Sequence, residues 1–98
     1  MSNTRNTVSA KKQSICGMQT ATLIQAQNNL IKESEKELEE AHTFEQVDQV
    51  SIKLNRVISE LLALKTRIGD EINLSDSQKK NLTARVDELI GCANEMLG

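Results

Sequence analysis

The chain's single imidazole, His42, and its two thiols, Cys16 and Cys92, are the side chains with the most useful reactivity near neutral pH. Nucleophilic catalysis needs a thiolate or hydroxyl against a base, a group that orients the base, and donors that receive the developing charge. Cys16 lies near the expected start of a helix, where a thiolate is favoured, but no histidine stands near it in sequence. His42 falls at an expected turn and reads as a solvated residue. Glu39 and Glu40 are adjacent carboxylates, yet neighbours on a helix point to different sides and do not form a metal or glycosidase pair. The cysteines lie in neither CxxC nor CxxH spacing, and the glycines are scattered singly without a phosphate-cradling loop. The reading is therefore no enzyme, no metal site and no cofactor.

With no chemistry to position, the elements themselves become the subject. At 98 residues the chain is one domain at most. It has no Pro, Trp or Tyr and a single Phe, so residues that furnish strands and stacking platforms are nearly missing. All-α is the fold class that fits.

The strongest pattern runs from Phe44 to Ile72. Val47, Val50, Leu54, Val57, Leu61, Leu64 and Ile68 recur in alternating steps of three and four, which is one apolar seam on a helix of roughly 43 Å. Ile58 and Leu62 widen the stripe and call for more than one packing neighbour. Thr43 with Gln46 forms a capping box at its start.

A first helix is expected from between Ile15 and Gln19 to about Ala41, carried by Ile24, Ile31 and Leu38 with Leu23 and Leu30 beside them. Its alternate seam positions are Thr20, Gln27, Ser34 and Ala41, so it has less to bury per turn. Ser75 with Gln78 opens a third helix, in which Leu82, Val86, Leu89, Ala93 and Met96 form the seam and Ile90 and Leu97 widen it. Gly91 reads as a close-packing position. The expected architecture is an antiparallel three-helix hairpin or bundle with coiled-coil character, helices at about 16–41, 44–72 and 76–97, the central one stopping at Ile68 or, if Gly69 is tolerated at about 1 kcal/mol, near Ile72. The alternative is a long continuous coiled coil, since neither Gly nor Pro interrupts the sequence around His42. Residues 1–14 are polar and without periodicity, and read as a flexible, basic N-terminal tail ahead of a single helical domain over 15–98. In an up-down-up arrangement Cys16 and Cys92 stand roughly 24 Å apart along the bundle, beyond the reach of a disulfide.

Charge and composition narrow the partners. The net charge is −2, so the whole chain is not an attractor for nucleic acid or for an anionic membrane. It has neither aromatic stacking residues nor a basic reading helix, and no apolar run long enough to span a membrane. Without a secretory signal pattern the expected compartment is cytoplasmic, with leaderless export left open. The sequons at Asn73 and Asn81 carry no weight in that setting.

These readings converge on a non-enzymatic protein–protein interaction module, an adaptor, chaperone-like protein or complex subunit. Its coiled-coil seams are buried against a protein partner, a second copy of itself, or both. The partner-binding residues expected are Leu23, Ile24, Leu30 and Ile31 on the first helix, and Leu54, Leu61 and Ile68 on the central one. The first helix is the element expected to exchange. A second reading is a nucleic-acid-associated regulator that uses Arg5, Lys11 and Lys12 of the basic arm on a dimeric helical scaffold, distinguished by its salt dependence.

Overall fold

A computed structural model describes the backbone of residues 2–98 and the side chains of residues 15–98. It contains three helices, α1 (Ser2–Glu40), α2 (Phe44–Asp70) and α3 (Asp76–Leu97), packed against one another in an up-down-up bundle. The described residues contain no strand. The molecule is a rod of 65 × 17 × 15 Å.

Each turn is set by local hydrogen bonds. At the first, the Gln46 backbone N–H donates to Thr43 Oγ1 at 3.2 Å, and Gln46 Oε1 accepts from the backbone N–H of His42 at 2.7 Å and of Thr43 at 3.3 Å. The amide reaching back fixes the chain entry, so the continuous-rod alternative is excluded: the backbone leaves the helix at Ala41 and re-enters it at Phe44. At the second turn Ser75 and Gln78 form the same box. Lys79 Nζ donates to the Gly69 carbonyl at 3.1 Å, satisfying one of the carbonyls left open where α2 ends. Leu74 in the connector is buried and plugs this end of the core.

Cross-links between helices give the topology. Lys53 on α2 reaches Glu33 and Glu37 on α1, Lys65 on α2 pairs with Asp87 on α3 at 2.8 Å, and Arg85 on α3 donates to Gln25 on α1 at 3.4 Å. Hence α2 runs antiparallel to both neighbours and α1 runs parallel to α3. Cys16 lies beside Leu74, at the end where α3 begins, and both cysteines are free thiols.

The central seam is the core. Val50, Leu54, Val57, Leu61, Leu64 and Ile68 are buried along α2, and meet Ile24 and Ile31 of α1 and Val86, Leu89 and Ala93 of α3. Burial of a large aliphatic side chain contributes about 1.5–3 kcal/mol, so this single line supplies much of the stabilisation. Val47, expected in the seam, is instead exposed beside the first turn.

Two expectations are corrected. The helix of α1 starts at Ser2 and not between Ile15 and Gln19: no Gly or Pro precedes Gly17, and a nucleated helix extends at little cost per residue. The expected tail over residues 1–14 therefore has a helical backbone from Ser2 onward, while its side chains lie outside the described residues. The end of α2 comes at Asp70, between the two stops expected at Ile68 and near Ile72. Gly91 is not a close-packing site, because a Cβ built there meets no atom within 4 Å.

Candidate functional site

The residues expected to bind a partner divide into two sets. Ile24, Ile31, Leu54, Leu61 and Ile68 are all in the hydrophobic core, so in this state α1 itself occupies the seam of α2. Leu23 is 45% exposed and Leu30 is half-buried against the core. These two, one heptad apart, stand on the rim where α1 meets α2.

A groove of about 490 Å³ lies along that rim, lined by Gln27, Leu30, Ile52, Lys53, Arg56 and Glu60 among others. Below it the buried face of α1 is polar at alternate positions. Ser34 is fully buried and donates its hydroxyl to the Leu30 carbonyl at 2.8 Å, a bond made back into its own helix. Gln27 Oε1 is sealed from solvent with no hydrogen-bond partner. A buried acceptor left unpaired costs about 1–3 kcal/mol relative to a paired one, a burden carried by the α1–α2 contact.

Opposing that burden is a three-residue ion cluster. Lys53 Nζ lies 2.9 Å from Glu37 Oε1 and 3.6 Å from Glu33 Oε2. The hydrogen bond to Glu37 raises the lysine pKa above its ordinary value, with the charges of Glu37 and Glu33 adding to it and desolvation opposing it. The carboxylates that crowd the end of α1 are thus partly neutralised from α2.

The reactive groups are not brought together. Cys16 is half-buried in a niche with Leu64, Ile68 and Leu74, His42 is exposed at the turn at the opposite end of the three-helix core, and Cys92 is exposed on α3. Among the described residues no three His, Cys, Asp or Glu side chains form a group able to hold a metal ion, and no helix is long and apolar enough to cross a membrane. The side chains of Arg5, Lys11 and Lys12 lie outside the described residues.

Sequence reasoning missed the apolar residues that stay outside. Phe44, the only aromatic residue, is 91% exposed at the first turn, Ile72 is almost fully exposed at the second, and Ile52 and Leu62 stand on the outer surface of α2. Their signal was present as apolar residues in excess of one seam, but periodicity does not say which excess remains uncovered. No protein-family model matches the chain, and no curated protein or solved structure matches it.

Proposed function

We propose that the chain is a non-enzymatic helical protein–protein interaction module, an adaptor, chaperone-like protein or subunit of a larger complex. In it α2 and α3 are the scaffold, and α1 is the element that a partner helix recruits or displaces. The observation that carries this reading is the polarity of the buried face of α1. Ser34 is fully buried and Gln27 carries a sealed, unpaired oxygen, whereas the buried seam of α2 across from α1 is aliphatic throughout. A helix with aliphatic side chains at those two positions would fill the same trough without an unpaired acceptor. The contact between α2 and α3 is also the most extensive of the three. Leu54, Leu61 and Ile68 are the receiving seam in this mechanism, and Leu23, Ile24, Leu30 and Ile31 are the edge that α1 releases or presents.

Hydrogen exchange on the free protein tests the premise: residues 20–40 must exchange faster than residues 50–68. A fluorescent peptide of residues 15–40 carrying leucine in place of Gln27 and alanine in place of Ser34 tests the exchange itself. It should enter the bundle and expose the resident α1 to proteolysis. Equal protection in all three helices, with no uptake of the peptide, would show that the seam does not accept a helix in trans.

A further inference from the structure

The trough that holds α1 is walled by more positive charge than α1 neutralises. The charged side chains that line its grooves or bond to it are Lys53, Arg56, Glu60, Arg67 and Glu71 of α2 and Arg85 of α3, four cations against two carboxylates. Glu60 stands one turn from Arg56 on the same helix and offsets it, and Glu71 Oε1 accepts from the Asn73 backbone N–H at 3.1 Å. On the side of α1, Glu33 and Glu37 meet Lys53, and no carboxylate stands anywhere from Ile15 to Lys32. Arg67 and Arg85 consequently make no ion pair among the described residues. What α1 sets against them is neutral. Gln19 shares a niche with Arg67, and Gln25 Oε1 accepts from the Arg85 guanidinium at 3.4 Å.

We infer, on the reading that a partner helix takes the place of α1, that the partner is an acidic amphipathic helix antiparallel to α2, with carboxylates at the positions of Gln19 and Gln25 as well as those of Glu33 and Glu37. An amide and a carboxylate have nearly the same shape, so glutamate at either glutamine position offers an oxygen to the same guanidinium and adds the charge. Spacing fixes the direction. The intervals between the four positions, six, eight and four residues, are not the same read backwards, so a helix laid parallel to α2 puts its acids out of step with Arg67, Arg85 and Lys53. The whole chain carries a net charge of −2 and repels an acidic helix at long range, so a preference for one reports these local pairs.

Three fluorescent peptides of residues 15–40, all carrying Gln27→Leu and Ser34→Ala, decide the matter. One adds Gln19→Glu and Gln25→Glu, one keeps both glutamines, and one adds Gln19→Lys and Gln25→Lys. By anisotropy at low salt the glutamate peptide should bind the full-length protein about threefold to tenfold tighter than the glutamine peptide, with the lysine peptide weakest, and high salt should close the gap. A protein variant separates pairing from peptide helicity: Arg67→Gln with Arg85→Gln should erase the preference and leave the circular dichroism unchanged, since both arginines are exposed. Equal affinities at low salt, or a preference that persists in the double variant, would overturn the inference while leaving exchange of α1 standing. Uptake of none of the three peptides would overturn both.

Discussion

Lys53 on α2 donates to Glu37 on α1 at 2.9 Å, spanning the contact that also holds the unpaired acceptor of Gln27. The pair is partly exposed, so its contribution is small, about 0.2–1 kcal/mol. Its pH dependence nonetheless has a definite sign. The lysine pKa is raised on folding, so the stabilisation is fully present below the ordinary value of 10.5 and is lost as pH rises through the raised value. Lys53→Met should therefore lower stability near neutrality, and the difference from the native chain should shrink in alkali. Urea midpoints of the two proteins, compared at neutral pH and well above the ordinary lysine pKa, read this directly.

Replacing Gln27 by leucine removes the sealed, unpaired oxygen and completes the apolar face of α1. The expected result is a gain of about 1–3 kcal/mol in unfolding free energy, from denaturant titration. Amide exchange in residues 20–40 should slow at the same time. A loss of stability would mean that the amide has a partner in solution.

At the centre of the rod, Leu61 is fully buried among residues of all three helices. Leu61→Ala should cost about 2–5 kcal/mol, removing the transfer energy of the side chain and leaving a cavity. Thermal unfolding should move down accordingly while remaining a single transition. An effect below about 1 kcal/mol would place Leu61 outside the core.

The glycines give an opposed pair. Gly91 has open space where a Cβ would go, so Gly91→Ala should stabilise α3 by up to about 1 kcal/mol through helix propensity alone. A Cβ on Gly17 would come 3.0 Å from Nε2 of Gln78, the residue that completes the capping box of α3. Gly17→Ala should gain less than Gly91→Ala or lose stability, and the difference in their melting temperatures is the measurement.

The elements that sequence makes plain here are those specified locally. Thr43 with Gln46, and Ser75 with Gln78, placed the starts of α2 and α3, since a capping box is a bond within four residues of chain. The seam from Val50 to Ile68 was equally legible, because a helix period is a property of the segment alone. The start of α1 was not, for no stop signal lies upstream of Gly17 and a polar helix resembles a polar coil on paper. Position in the bundle was also hidden. Only the packed structure distinguishes Gly91, in open space, from Gly17, in contact with α3, and shows that Leu74 of a connector is core while Phe44 and Ile72 are not. Five of the seven residues expected to meet a partner proved to be the intramolecular core, since the same periodicity serves a helix within the chain or from outside it.

Because α1 runs parallel to α3, their C-termini and the N-terminus of α2 share one end of the rod. Neither α1 nor α3 has a basic residue in its last turn, and Glu37, Glu39, Glu40, Glu45 and Glu95 cluster at that end. Two helix macrodipoles place their negative poles there against one positive pole. The molecule is consequently an electric dipole lying along its own long axis, with the acidic pole at the His42 turn. Such a rod turns in an applied field, and transient electric birefringence would read the moment. Encounters between rods are biased towards head-to-tail alignment at low ionic strength, and the bias fades as the Debye length falls below the rod's 65 Å length.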